Sequence, residues 1–342
     1  MQQSGSPTQI EQRKWCVAAL KGLNGGLALS IRQTGSRSAM AEADELAQIV
    51  TVRDWLRYAV SRFNAAGLVY GHGTATALDE AAFLILHTLH LPVDQLEPWL
   101  DCRLLAAERE ALRQIIDQRI ATRKPAPYLT KLAWMQGHSF YVDERVIVPR
   151  SYIGELLAGG LDGVAPEPAN IQSILDLCTG SGCLAILAAL QFEHAKVDAV
   201  EISSDAMAVA EINVRDYALQ DRIALVRCDL FAGLGGRRYD LILANPPYVD
   251  AEAVAAFPPE YAAEPKLAHA GGGDGLDVVR RILSEAGKHL TPNGVLVVEI
   301  GRGRKLMERA FPNLPFLWLD TAESAGEVFA LTRSDLDEQG SR

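Results

Sequence analysis

The chain has 342 residues, 49% hydrophobic and 22% charged, with a formal net charge of −10. That length and balance fit about two ordinary globular domains and exclude a fibrous or wholly disordered chain. The acidic excess argues against nucleic acid as a stable partner and favours encounter with a basic protein.

No apolar run reaches the length of a membrane span. The best one, Cys16 to Ile31, is interrupted by Lys21, Asn24 and the pair Gly25-Gly26. No secretory signal is evident. The five cysteines (Cys16, Cys102, Cys178, Cys183 and Cys228) are odd in number, scattered and free of any CxxC pair. This pattern points to a reducing, cytoplasmic setting and to no zinc site.

Residues 1–44 are rich in Ser, Gly, Gln and Arg, with no sustained apolar period, and are expected to be a disordered extension. Met40 precedes the first clean helical pattern and is expected to be the physiological start, with an organelle transit peptide as the weaker alternative. Residues 45–123 read as a small helical domain. Thr51 is placed to cap a helix carrying Leu56, Ala59, Val60 and Phe63 on one face, closed by Gly67. Thr76 is placed to cap a second helix over 78–90. A third runs over 106–122 with Leu112, Ile115, Ile116 and Ile120 on one side. His72, in the loop Tyr70-Gly71-His72-Gly73-Thr74, is read as a local cap or hydrogen-bonding group, the commoner role of such a residue. His87 and His90 are read as a satisfied helix face, because no third ligand accompanies them.

Residues 124–150 read as a linker. Lys124-Pro125-Ala126-Pro127 marks a junction, and the alternation from Trp134 to Val148 predicts a β-hairpin turning at Gly137-His138. Residues 151–335 then alternate strand and helix, which predicts an α/β domain with a parallel sheet covered on both faces; residues 336–342 are a tail. Strands are expected at 174–177, 197–201, 224–228, 241–244, 294–300, 316–319 and 328–331. Helices are expected at 184–191, 205–217, 276–289 and 304–310.

Chemistry concentrates at the strand ends. The first strand runs into Asp176-Leu177-Cys178-Thr179-Gly180-Ser181-Gly182. Its two glycines let the backbone turn sharply and approach a ligand closely. The spacing lacks the third glycine of the dinucleotide fingerprint and the loop has no Lys or Arg, so a phosphate-free nucleoside fits better than NAD. The second strand ends in Glu201, where an acid can bind ribose hydroxyls. The third ends in Cys228-Asp229-Leu230, where an adenine can be met. The fourth ends in Asn245-Pro246-Pro247-Tyr248. Neither proline can donate to a ladder, so the strand stops on a stiff frame. The Asn245 side-chain oxygen and the Pro246 carbonyl are two acceptors at one point, which suits a substrate NH₂ group, and the Tyr248 ring can lie against a flat group.

This constellation resembles the class I S-adenosylmethionine-dependent methyltransferases, over roughly 149–331. The resemblance implies a Rossmann-like seven-stranded sheet with the last strand antiparallel. It implies S-adenosylmethionine as cofactor, with Asp176, Thr179, Gly180, Gly182, Glu201, Asp229, Leu230, Asn245 and Arg150 as its contacts. Asn245, Pro246, Pro247 and Tyr248 are implied as the catalytic tetrad. Asn-Pro-Pro-Tyr marks the branch that methylates nitrogens of planar groups, either base amines or the glutamine amide.

Asp54-Trp55-Leu56, Ser61-Arg62-Phe63, Tyr70 to Thr74, Asp79-Glu80-Ala81, Val148-Pro149-Arg150-Ser151, Glu264 to Ala268 and Gly271 to Asp277 further resemble the protein-glutamine N5-methyltransferases. Within that family they resemble the branch that modifies the third protein of the large ribosomal subunit, uL3, as free protein or in the assembling ribosome. Methylation of peptide chain release factors, exocyclic-amine methylation of a nucleic-acid base, and a non-catalytic assembly factor are the alternatives. Tyr152 and His269 depart from the family pattern, which usually has a proline and a leucine there.

Overall fold

The computed structural model describes residues 46–165, 167–322 and 324–337. The expected extension 1–44, with its proposed start at Met40, and the last five tail residues lie outside them. Helix α1 (Val52–Ala65) starts at Thr51, whose Oγ accepts from the Asp54 amide while Asp54 accepts in return from the Thr51 amide. The buried stripe of α1 is Val52, Trp55, Ala59 and Phe63. Leu56 and Val60, expected on the core face, are only half-buried, because the larger Trp55 turns inward and rotates the stripe. Helix α2 (Ala77–Thr88) is capped by Thr76, and α3 (Ala106–Thr122) buries Leu112, Ile116 and Arg119. Arg119 Nε lies 2.6 Å from Glu80 Oε1, both side chains shut off from solvent, so α2 and α3 are pinned by an ion pair as well as by apolar packing.

The proline junction is itself structured: α4 (Ala126–Thr130) follows directly on Arg123, which ends α3 in the left-handed region at φ 60°. The hairpin is shorter than expected. Strands β1 (Leu132–Met135) and β2 (His138–Tyr141) pair antiparallel around Gln136 and Gly137, at φ 51° and 76°. Two successive positive φ values make this a two-residue turn whose twist matches the strands, so His138 belongs to the ladder. Residues 142–148 leave it because Asp143 folds back to accept from the Arg145 amide at 3.1 Å.

Next come α5 (Tyr152–Ala158), β3 (Ser173–Leu177), α6 (Cys183–Gln191), β4 (Lys196–Glu201), α7 (Ser204–Asp216), β5 (Ile223–Arg227) and β6 (Tyr239–Ala244). Then come α8 (Ala251–Ala255), α9 (Asp277–His289), β7 (Leu290–Glu299), α10 (Arg304–Ala310), β8 (Leu317–Asp320), β9 (Ala325–Thr332) and α11 (Arg333–Asp337). The sheet order is β5-β4-β3-β6-β7-β9-β8. All neighbours are parallel except β9, the last strand in the chain, which runs antiparallel to β7 and β8.

Alternate residues of each strand feed two cores. Ile174, Leu241, Leu243, Val295 and Val297 pack with α5 and α6. Leu175, Leu177, Ile242, Ala244, Leu296 and Val298 pack with α9. Both faces are therefore covered, as the unbroken apolar strands require. Winding reverses between β3 and β6, and in such sheets ligands bind outside the carboxyl ends at that reversal. The β1–β2 hairpin and the chain after it lie across α7. Buried Asn213 bonds the Tyr141 amide at 2.7 Å and the carbonyls of Tyr141 and Ser181 at 3.0 and 2.8 Å. Among the described residues no helix is long and apolar enough to cross a membrane.

Candidate active site

At the carboxyl ends of β3 to β6 lies a cavity of about 230 Å³, lined among others by Gly180, Glu201, Asp229, Leu230, Asn245 and Pro247. The glycine loop forms one wall. It folds through positive φ at Cys178 (58°), Gly180 (57°) and Gly182 (81°), the last being the N-cap of α6. A Cβ on Gly182 would sit 3.3 Å from that of Ala210, so α7 packs directly on the turn. Glu201 closes the loop from the neighbouring strand, accepting the Gly180 amide at 3.0 Å and the Ser203 amide at 2.9 Å. Each of its oxygens keeps a second lone pair for a ligand hydroxyl. Asp229 stands at the rim, 2.9 Å from Arg281. Apolar Val200, Ile202, Leu230 and Val278 complete the far end.

Four of the residues expected to meet a cofactor are not among those lining this cavity. Asp176 is fully buried behind the loop, where it accepts from the Thr179 hydroxyl and, at 3.1 Å, from the Ala185 amide. Burial pushes its carboxyl up to about 7, with those two hydrogen bonds pulling it back. Asp176, Thr179 and Gly182 shape the loop and do not line the cavity. Arg150 lines a different one.

That second cavity, about 220 Å³, adjoins the first and shares Asn245, Ile147 and Ala268 with it. Its other walls include Arg150, Pro246, Tyr248, Phe257, Tyr261 and His269. Asn245 therefore stands between the two cavities, with Pro247 on one side and Pro246 and Tyr248 on the other. Its Nδ2 faces the Arg150 carbonyl at 3.5 Å. Burial, helped by the nearby Glu299 carboxylate, keeps the Tyr248 phenol firmly protonated.

The glycine-rich stretch after the tetrad holds Tyr248 from behind. The Val249 amide donates to the His269 carbonyl at 3.0 Å, and the Gly271 amide donates to the Val249 carbonyl at 2.9 Å. A Cβ on Gly275 would fall 2.5 Å from the Tyr248 carbonyl oxygen, and one on Gly301 would fall 2.7 Å from the Tyr248 ring.

The loop between tetrad and glycines carries two carboxylates that sequence reasoning left unassigned. Glu260 lies 2.8 Å from Arg123 and accepts the Val69 amide at 3.1 Å, so it holds the chain between α1 and α2 and the end of α3. Glu264, with its side chain fully buried, takes both arms of the Arg150 guanidinium at 2.7 and 2.8 Å. It also accepts the Val148 amide at 3.0 Å, and His269 Nε2 lies 2.8 Å away. Burial alone would raise the Glu264 carboxyl. The paired Arg150 hydrogen bonds, with the His269 and His72 rings close by, outweigh it and hold the group far below the ordinary carboxylate range.

His72 is not a local cap. It is 1% exposed, its Nε2 lies 3.6 Å from Glu264 Oε2, and its ring packs on Tyr261 at 4.4 Å. The signal for this in the sequence is the glycine on each side of His72, at φ 128° and 90°, which brings the ring close to the loop.

Residues 162–257 match the methyltransferase small domain family. The chain is 58% identical over 296 residues to a ribosomal protein uL3 glutamine methyltransferase of Bradyrhizobium diazoefficiens, covering 85% of this chain and 93% of that protein. It is 55% identical over 293 residues to the protein of that description in Burkholderia pseudomallei, covering 84% and 95%. A solved methyltransferase from Pyrococcus furiosus is similar at 17% identity and a TM-score of 0.44, over 66% of this chain and 98% of that one. With a class I methyltransferase sheet and relatives matched over 93% and 95% of their own length, the chain belongs to the family of the ribosomal protein uL3 glutamine methyltransferases.

Proposed function

We propose that this protein transfers a methyl group from S-adenosylmethionine to the side-chain amide nitrogen of a glutamine in ribosomal protein uL3. The observation that carries this reading is the position of Asn245 on the wall common to both cavities.

The first cavity fits the cofactor chemically. Glu201 offers acceptors for ribose hydroxyls, Asp229 and Leu230 flank the apolar end suited to an adenine, and Gly180 leaves room for close backbone approach. S-adenosylmethionine supplies an electrophilic methyl group. The second cavity receives the glutamine side chain. There Asn245 Oδ1 and the Pro246 carbonyl accept the two amide N–H groups, and the Tyr248 ring lies against the amide plane.

An amide nitrogen is a poor nucleophile because its lone pair is delocalised. Two acceptors on its hydrogens fix its direction and favour the positive charge that grows on nitrogen as it gains a carbon. No strong base is needed beforehand, since the proton on the alkylated nitrogen becomes acidic. The helical domain and the loop at 257–269 would grip the basic protein substrate.

The test adds purified protein and tritiated S-adenosylmethionine to ribosomes from a strain lacking the enzyme. Label confined to uL3, removed by protease and mapping to a glutamine, supports the reading. Protease-resistant label in RNA or DNA overturns it in favour of a base amine.

A further inference from the structure

Which end of the Asn245 amide meets the substrate is decided behind it. The Arg150 carbonyl can only accept, so the group facing it at 3.5 Å is Nδ2, and Oδ1 points the other way. The reverse orientation would oppose two oxygens. The position of that carbonyl therefore matters to the tetrad.

Residues on either side of Arg150 are clamped by two buried carboxylates. Glu299, at the end of β7, accepts from the Ser151 hydroxyl at 2.6 Å and the Tyr152 amide at 2.9 Å. Glu264 accepts from the Val148 amide and from both arms of the Arg150 side chain, which folds back along its own backbone to bond the Val148 carbonyl at 3.1 Å. The bidentate fork fixes angle as well as distance. The same Glu264 carboxylate meets His72, which arrives from the loop between α1 and α2.

We propose that Glu264 is a positioning residue for methyl transfer: it holds the Arg150 segment so that Asn245 presents its oxygen to the substrate, and through His72 it ties that orientation to the seating of the helical domain. This rests on the acceptor role given to Asn245 above. Glu264 acts through Arg150 and Asn245 and need not touch the glutamine.

The experiment compares Glu264→Gln, Asn245→Ala and the double variant in single-turnover methylation of uL3. S-adenosylmethionine affinity is measured by calorimetry on the same samples. Glu264→Gln keeps size and one acceptor but turns an NH₂ toward the guanidinium. It is expected to lower the transfer rate about tenfold or more, because a misplaced orienting group costs rate steeply, while cofactor affinity stays within about twofold. In the Asn245→Ala background the same change is expected to cost less than about twofold, since residues acting through one another are not additive.

A merely structural role would give losses that multiply. Multiplying losses, or a Glu264→Gln rate within twofold of wild type, would overturn the proposal. Should Glu264→Gln not fold, Arg150→Lys, which keeps the charge and loses the fork, decides by the same criteria. His72→Phe, which keeps the ring on Tyr261 but not the contact with Glu264, is expected to lower the rate without further loss when combined with Glu264→Gln. Wild-type protein that binds S-adenosylmethionine but labels no glutamine would overturn the underlying reading and the proposal with it.

Discussion

Asn245 can be removed at little expense to the fold, which makes its contribution to catalysis measurable. Its side-chain hydrogen bond to the Arg150 carbonyl is long at 3.5 Å, so Asn245→Ala should cost less than about 1 kcal/mol of stability. On the substrate side it removes one of two acceptors, at a half-buried point where water competes poorly. Loss of one preorganised polar group in such a site is worth about 3–4 kcal/mol, or about two to three orders of magnitude in kcat. The Pro246 carbonyl remains and keeps activity above zero.

Asn245→Asp sharpens the test. It preserves an acceptor toward the cavity but sets an oxygen against the Arg150 carbonyl, so the carboxylate must rotate or take up a proton. A loss of about one to two orders is expected. Both variants are assayed by methyl transfer to uL3 under single-turnover conditions, with S-adenosylmethionine affinity measured in parallel. An alanine variant within about fivefold of wild-type kcat, or an aspartate variant equal to wild type, would refute the assignment of Asn245 as the orienting acceptor.

Gly301→Ala places a methyl 2.7 Å from the Tyr248 ring on a backbone at φ 52°, so kcat should fall about tenfold with a stability loss of about 1–2 kcal/mol by urea unfolding. Unchanged kcat would remove the Tyr248 ring from the mechanism. Arg119→Ala leaves Glu80 buried without its partner, and burial already pushes that carboxyl upward. A destabilisation of about 3–5 kcal/mol is expected, and a change under about 1 kcal/mol would contradict the packing of α2 on α3. Burial raises the Glu299 carboxyl from 4.5 to about 7. Between those values the folded protein keeps a proton that the unfolded chain has lost, so this contribution to stability is full below pH 4.5 and disappears as pH rises to 7. Its steepest slope is about 1.4 kcal/mol per pH unit. Glu299→Gln should therefore gain on wild type at pH 8 relative to pH 5; an equal difference at the two pH values would refute the shift.

Local signals in the sequence located the elements well. The caps Thr51 and Thr76 and the four chemistry-bearing strand ends are written in adjacent residues, and the structure places all of them at one end of the sheet or at helix starts. Side-chain direction was less legible. Asp176 precedes the glycine loop in sequence, which made it a contact candidate, but alternation along β3 and the need to hold Thr179 and Ala185 turn it inward. In α1 the spacing of Leu56 and Val60 is helical, yet it does not reveal that Trp55 takes the core side.

The least legible features are the long-range ones. Glu264 meets Arg150 across 114 positions, and Glu260 meets Val69 across 191. No periodicity encodes such pairs; only the fold brings them together. His269 looked like a simple departure from the family pattern until its contact with Glu264 gave it a partner.

The loop at 257–269 belongs by contact to the helices at 52–122 as much as to the sheet region that encodes it. Chain order would place a cut for recombination at Lys124 to Arg150, between the two halves. A chimera joined there would set one parent's Arg123, Val69 and His72 against another parent's Glu260 and Glu264. The exchangeable module is instead discontinuous, residues 50–150 together with 257–269. A recipient given both segments inherits the Arg123–Glu260, Arg150–Glu264 and His72–Glu264 contacts from one parent, whereas one given the first alone must meet Arg123, Arg150 and His72 with its own 257–269 loop.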